Sequence, residues 1–505
     1  MRVSVVVPVY NPGPYIRDLV DSLREQTLDP AEFEVVFVDD GSDDGTPALL
    51  DRVAAEAPNM RVIHTPNSGW PGRPRNIGID AARGDFVFLS DHDDRLDPDA
   101  LQRLTDFAIE HGSDVVLGKV VGVGRPAPTA VFARTVVDAQ HDPALLMSTL
   151  TPQKLFRRAF LDEQRIRFPE GRRRLEDHLF VTTAYLRARR VSIYADHPIY
   201  YFVIRDDGGN ASRRPVEWRG YFANAAESVA VVDAEAPDEA TRVVMRRRWL
   251  RVEALGRLRG TAWLGRGQDR EVLFEAVHDL LAQHYPVGEI DLLGANDRVA
   301  GRLALDGRQD DLQAFAEWEA TVRVRPRLTA ARIDLLTDQL ELRLSADQRA
   351  TVPLPPVLAD PPAGYPAGDD VAGMQRVPAS ARAEVRLRHV GSGTVVKAAV
   401  RQRVEDGVLH IDATVDLAGT PALLREGRWS VIVAVRGVGK TPSDPLVVRP
   451  EERGLVAGTE VRVAGRRFLL GVGDARRVLL RVEAAGPVSR LRSTAGAVLR
   501  RLHLR

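Results

Sequence analysis

The chain has 505 residues, 70 Lys and Arg balanced by 70 Asp and Glu, and no cysteine. That length exceeds what one hydrophobic core supports and implies about two to four domains. The missing cysteine excludes disulfides, thiolate nucleophiles and Cys-ligated zinc, whereas the neutral total excludes no partner, because patches of either sign can sit inside it.

The opening segment, MRVSVVVPVYNP, carries an apolar run too short for a signal-peptide core. No window of about 18 uncharged apolar residues follows, so a cytoplasmic protein is expected, with at most peripheral contact at the inner face of the membrane. Residues 3–9 read as a buried strand and Tyr15 to Gln26 as an amphipathic helix. Glu34 to Val38 is a second buried strand ending in DDGSDDGT, Pro47 to Ala55 a helix, and Arg61 to His64 a short strand. NSGWPGRPRN (67–76) reads as a Gly/Pro loop, Ile77 to Ala82 as a helix and Phe86 to Leu89 as a strand. This alternation predicts an α/β domain with a mixed, mainly parallel sheet, whose ligands sit beyond the carboxyl ends of the strands. The polar clusters at Tyr10-Asn11, Asp39-Asp40, Asn67 to Asn76 and Asp91 to Asp94 all fall at such ends or in the loops after them.

From about residue 216 the chain becomes rich in Ala, Leu, Arg and Glu at helical spacing. After about residue 329, short alternating runs such as LELRLS, AEVRLRHV, VLHIDATVDL and WSVIVAVRGV predict an antiparallel, β-sandwich-like domain. The expected organisation is a catalytic domain over 1–215, a helical linker over 216–328, an immunoglobulin-like β-rich domain over 329–485 and a basic tail over 486–505. The Pro-rich piece 351–368 is expected to be an extended loop. Arg246-Arg247-Arg248-Trp249 is similar to the Arg-Trp motif of processive synthases, but Met245 replaces the usual Gln and the membrane helices of those enzymes are missing, so that reading is rejected.

Five aspartates and a histidine crowd FVFLSDHDDRLDPDA (86–100). Like charges this close repel, so the cluster is either solvated or set around a cation. Asp91-His92-Asp93 after a buried strand offers hard oxygens to Mg2+ or Mn2+, though a lone D-x-D pattern is common on solvated surface. Glu176-Asp177 is expected in the first turn of a helix beginning near Leu175. The helix dipole favours ionised carboxylates there, and adjacent residues point about 100° apart, so one acid at most faces a substrate. The segment Lys154 to Arg174 carries more basic than acidic residues, which suits a polyphosphate acceptor as well as a solvated helix face.

PVYN (8–11), VDDGSDDGT (38–46), SDHDD (90–94) and LEDHLF (175–180) together resemble a family 2 glycosyltransferase of the GT-A fold. NSGWPGRPRN, SDVVLGKV (113–120) and FPEGRRRLEDHLFVTTAYL (168–186) are similar to the wall teichoic acid β-N-acetylglucosaminyltransferases of Gram-positive bacteria. The resemblance implies an inverting, metal-dependent transferase that moves a sugar, N-acetylglucosamine from UDP-GlcNAc foremost, onto a hydroxyl of poly(ribitol phosphate) or a similar polymer. A capsular or lipid-linked acceptor and a silent polymer-binding scaffold are the alternatives. It assigns Asp177 as base, with Pro8, Tyr10, Asp40, Asn67, Arg75, Asp91, His92, Asp93, Glu176, Arg205 and Ser212 at the donor, Asp93 being the metal ligand. A carboxylate at Asp40 opposite an N–H selects uracil over cytosine. The fork of donors on Arg75 suits a phosphate or ribose-side contact, and Arg205 suits the departing diphosphate. Arg125 and Arg173 are assigned to the acceptor. His92 stands where the family usually has a small residue, which leaves its role open. The relatives further imply a homo-oligomer, a trimer foremost, formed through the β-rich region.

Overall fold

The computed structural model describes residues 1–207, 215–334, 337–436, 444–445, 459–463, 466–472 and 478–484. Gly208, Gly209, Ser212 and the basic tail lie outside these. Two compact units emerge, one of Met1–Arg257, Arg266–Ile290 and Ala304–Gly307, the other of Leu258–Gly265, Asp291–Leu303 and Arg308 onward, so the helical region contributes to both.

In the first unit, β1 (Val3–Val9), α1 (Ile16–Arg24), β2 (Phe33–Asp39), α2 (Thr46–Glu56), β3 (Met60–His64), α3 (Gly72–Ala81) and β4 (Phe86–Leu89) alternate as predicted. β5 (Arg95–Leu96), α4 (Ala100–His111), β6 (Val115–Val123), α5 (Pro143–Leu146), β7 (Leu155–Arg157), α6 (Arg158–Glu163), α7 (Glu176–Arg187) and β8 (Val191–Val203) complete it. The eight strands lie in the order β3-β2-β1-β4-β7-β6-β8-β5. β1 to β4 are mutually parallel where they pair and β6 is parallel to β8, while β7 runs against both β4 and β6. All seven residues of β1 and of β2 are buried, which is why these strands read as unbroken apolar runs rather than alternating ones.

The predicted loop over 67–76 is helical from Gly72 onward, so Arg75 and Asn76 sit in the first turns of α3. Pro74 is tolerated because the first-turn N–H groups have no intrahelical acceptor to lose. A Cβ on Gly72 would lie 2.5 Å from the Pro169 carbonyl oxygen. Asn76 fastens the same segment, donating to the Phe168 carbonyl at 2.8 Å and accepting from the Phe168 N–H at 2.8 Å.

Helices α8 (Trp218–Glu235), α9 (Glu239–Arg248), α10 (Gly260–Leu264), α11 (Arg270–His284), α12 (Val287–Asp291), α13 (Ala295–Leu305) and α14 (Gln309–Thr321) form the helical region, with a π-helical turn over Trp249–Ala254. In the second unit, β9 (Arg323–Asp334), β10 (Gln339–Arg349), β11 (Arg382–His389), β12 (Val395–Lys397), β13 (Ala399–Glu405), β14 (Val408–Asp416), β15 (Gly427–Arg436), β16 (Asp444–Pro445), β17 (Thr459–Val463), β18 (Arg466–Val472) and β19 (Val478–Ala484) make two antiparallel sheets. Their orders are β13-β14-β10-β9 and β12-β11-β15-β19-β18-β17. Alternate residues of both sheets, including Leu342, Leu344 and Ile411 on one and Leu387, Trp429 and Leu480 on the other, share a single apolar core. The Pro-rich segment contains a short helix over Pro356–Ala359 where an extended loop is predicted.

Leu342, 1% exposed at the centre of β10, has no room to be replaced without a cavity. Leu342→Ala is expected to cost about 2–5 kcal/mol in the second unit. Hydrogen exchange at the β10–β14 amides measures it, and unchanged protection there would contradict the shared core.

Candidate active site

The site begins where the sheet opens. β4 accompanies β1 only from Val3 to Val6, ending at the Leu89 pairing. Pro8, two residues further along β1, therefore faces a flank with no neighbouring strand, and its missing N–H leaves no ladder bond unmade. The Pro8 carbonyl on that flank is met by His92 Nδ1 at 3.1 Å. A carbonyl oxygen only accepts, so Nδ1 carries the proton and Nε2 is left facing Arg205 Nη1 at 3.5 Å. His92 thus closes the opened edge of the sheet against Arg205.

Below this edge the acids gather around one buried cation. Arg75, 5% exposed, donates Nη1 to Glu176 at 3.0 Å and Nη2 to Asp91 at 2.9 Å, and stacks over Phe168. The fork that suits a phosphate is thus spent on two protein carboxylates. Burial works against its charge, but Asp91 and Glu176 outweigh it and hold the guanidinium above its ordinary range. Trp70 Nε1 donates to the second oxygen of Glu176 at 2.8 Å, which leaves that acid fully committed. Asp91 is held further by Gln153 Nε2 at 2.5 Å, and its N–H donates to the Tyr200 hydroxyl.

Asp177 differs from its neighbour. Leu175, the residue before α7, takes φ +64°, a left-handed conformation costly for a side chain bearing Cβ. The next two residues are the acids, in the first turn. Asp177 is half-buried and accepts from the His178 N–H at 2.9 Å. Burial pushes its carboxyl up to about 6, against the opposing pull of Arg75. Glu176 is likewise raised by burial and by the charge of Asp177. A carboxylate of raised basicity, only partly buried beside a fully engaged one, has the character of a general base.

Asp40 lies at the end of β2, its two carboxylate oxygens accepting from the Ser68 N–H (3.0 Å) and hydroxyl (2.9 Å). Burial raises its carboxyl despite those bonds. Asn67 donates to the Asp40 carbonyl at 2.9 Å, and the two loops approach so closely that a Cβ on Gly41, at φ +71°, would lie 2.6 Å from the Asn67 nitrogen. Tyr10 stands exposed beside them. Asp39 is engaged by the Ser42 N–H and by His64, and serves the turn.

Arg205 pairs with both oxygens of Asp207 and stacks over Tyr15. Arg173 is ion-paired with Glu227 at 2.7 Å, and exposed Arg125 lies over the Phe202 ring. Sequence reasoning missed Ser68, Trp70, Gln153 and Tyr200. Only Ser68 and Trp70, inside NSGWPG, carried any local signal.

Asp93 and Asp94 test whether the cluster fits a cation. Burial raises both, with Asp91 adding to each, and Asp94, which binds the Val203 N–H, is pushed to about 8. Carboxylates crowded past what the Arg205 guanidinium neutralises are the donor set a hard divalent ion fits. A second group, Asp97, Asp99 and His197, has ligand atoms within 4.8 Å of one another. Its members are already bonded, Asp97 to His197 and Tyr201, Asp99 to Thr27 and Arg103, which marks a structural network.

Residues 4–197 match Glycosyl transferase family 2, and residues 218–316 match the Glycosyl transferase TarS linker domain. A crystal structure of S. aureus TarS 1–349 in complex with UDP-GlcNAc is 31% identical, with a TM-score of 0.58 over 63% of this chain and 91% of that one. The chain belongs to glycosyltransferase family 2. The longer S. aureus TarS structure, 21% identical, shares the fold over 97% of this chain and 86% of its own, with a TM-score of 0.59. The family 2 chain is also 35% identical over 245 residues, 48% of its length, to a poly(ribitol-phosphate) beta-glucosyltransferase of Bacillus spizizenii. It is 39% identical over 208 residues, 41% of its length, to the poly(ribitol-phosphate) beta-N-acetylglucosaminyltransferase TarS of S. aureus. These matches span 38% and 36% of those relatives' own lengths.

Removing Arg75 strands the buried Glu176 carboxylate and takes a partner from half-buried Asp91. Arg75→Met is expected to cost about 3–5 kcal/mol, and Arg75→Lys to recover little because an ammonium cannot reproduce the fork. Urea denaturation reads both, and a cost under about 0.5 kcal/mol for Arg75→Met would remove Arg75 from its central place.

Proposed function

We propose that the protein is an inverting glycosyltransferase that moves N-acetylglucosamine from UDP-GlcNAc to a hydroxyl of poly(ribitol phosphate) or a similar anionic polymer. The observation that carries this reading is the division between two adjacent acids, Glu176 bonded on both oxygens by Arg75 and Trp70, and Asp177 only partly buried with raised basicity. The likeness to TarS with UDP-GlcNAc bound supports the donor, and the poly(ribitol-phosphate) relatives support the acceptor.

In this mechanism Asp177 takes the proton of the acceptor hydroxyl as that oxygen bonds to the anomeric carbon and the bond to UDP breaks on the opposite face. Asp40, Asn67, Pro8 and Tyr10 line the uridine side. Glu176, Arg75 and Asp91 hold the acids rigid beside the sugar, and Arg205 supplies positive charge to the departing diphosphate with His92 at its side. Asp93 would hold Mn2+ or Mg2+, which supplies further charge to the diphosphate when bound. Arg125 and Arg173 are proposed for polymer phosphates, and the β-rich unit for self-association or polymer binding. UDP-glucose is the second donor reading, favoured by the Bacillus relative.

Incubation with poly(ribitol phosphate), divalent cation and either UDP-GlcNAc or UDP-glucose separates the donors by product mass. Asp177→Asn is expected to lower turnover by at least about a hundredfold, the usual worth of a general base. Wild-type turnover is expected to fall about tenfold per unit as pH drops below about 6, because Asp177 must be ionised to accept the proton. Unchanged turnover in Asp177→Asn would remove it as base.

A further inference from the structure

The RRRW motif of the helical region has no place in the chemistry above, yet its tryptophan reaches the catalytic helix. Trp249 is fully buried at the start of the π-helical turn, and its Nε1 donates to His178 Nδ1 at 3.2 Å. An indole N–H only donates, so His178 Nδ1 is unprotonated and the ring proton sits on Nε2. His178 in turn gives its backbone N–H to the Asp177 carboxylate. The helical region also holds α7 and the segment before it: Arg187 of α7 pairs with Glu235, and ahead of the helix Arg173 pairs with Glu227 and Asn224 donates to the Arg174 carbonyl at 3.0 Å.

We propose that Trp249 is a positioning residue for Asp177, acting through His178, so that the helical region sets the aim and basicity of the base. This rests on the reading of Asp177 as base. A single His178 tautomer and ring orientation, locked by the indole, holds the first turn of α7 where the N–H of His178 meets the carboxylate. Burial keeps the imidazole neutral, with its value lowered to about 4, as the bond from Trp249 requires. The charged groups around it are Glu253, Arg248, Glu176 and Arg257, and Glu253 is tied to both arginines. Insertion of a π turn at this point is the backbone irregularity that functional sites often carry.

Trp249→Phe keeps an aromatic ring at the position and removes the donor. It is expected to lower kcat about tenfold, leave KM for the UDP-sugar within about twofold, and move the acid limb of the kcat profile to higher pH, because a weakened bond from the His178 N–H makes Asp177 more basic. His178→Asn, which keeps an acceptor near the Nδ1 position, is expected to stay within about threefold of wild type, while His178→Leu behaves like Trp249→Phe. The Trp249 indole proton, slow to exchange in wild type, exchanges faster in His178→Leu. Wild-type kcat and acid limb in both Trp249→Phe and His178→Leu overturn the proposal, as does His178→Asn as damaging as His178→Leu. If Trp249→Phe does not fold, the contrast between the two His178 variants and the indole exchange decide it. Asp177→Asn tests the base separately, and the indole exchange reads the bond whatever that outcome.

Discussion

The candidate site depends on one buried guanidinium. Three segments far apart in the chain, the start of α3, the turn after β4 and the start of α7, are joined by Arg75, which bonds Asp91 and Glu176 at once. Arg75 and Glu176 are buried, and burying either charge unpaired costs several kcal/mol, so the starts of α3 and α7 stabilise each other. The same fork, with Trp70, exhausts Glu176, and so leaves Asp177 as the less committed of two adjacent acids. An arginine placed by sequence at the ligand thus acts first on the protein's own carboxylates.

The open flank of β1 beside His92 follows from a strand ending early. With β4 stopping at Leu89, the flank of β1 at Pro8 is unpaired, and a proline is the one residue that loses nothing there. His92 fills that flank, protonated at Nδ1 by the demand of the Pro8 carbonyl, with Nε2 turned toward Arg205. A small residue would leave the carbonyl to water and Arg205 without this neighbour. The departure of His92 from the family pattern is therefore a local structural solution with a cation at its far end.

What was legible in the sequence follows burial. β1, β2 and β4 are apolar runs covered on both faces, and they stand out with little ambiguity. The alternating runs LELRLS, AEVRLRHV, VLHIDATVDL and WSVIVAVRGV read as strands after residue 329 fall on β10, β11, β14 and β15. β9 and β13 were not read, and they form the two edges of their sheet, where charged residues sit along the strand and little of the inward pattern survives. The helical start of α3 was hidden because Gly and Pro signal a loop, while its first turn is set by contact with Phe168 and Pro169. Gln153 and Tyr200 lie 62 and 109 residues from Asp91 and belong to no local motif, so only the folded sheet brings them to it.

The helical region is more than a spacer after the sheet. Its first two helices belong to the same compact unit as the sheet, and α8 runs against α7 with ion pairs near both ends. Partly exposed pairs of this kind add little stability singly; one joins the segment before α7 to α8 and the other joins the last turn of α7 to the end of α8. The buried Trp249 then adds contact at the first turn, where rotation by one residue would exchange Glu176 for Asp177 in front of the substrate. A helix carrying two acids about 100° apart needs its rotation specified from outside itself. Arg75 and Trp70 specify it from the sheet side, and the first helices of the helical region from the other, which gives a physical reason for those helices to belong to the same compact unit as the sheet.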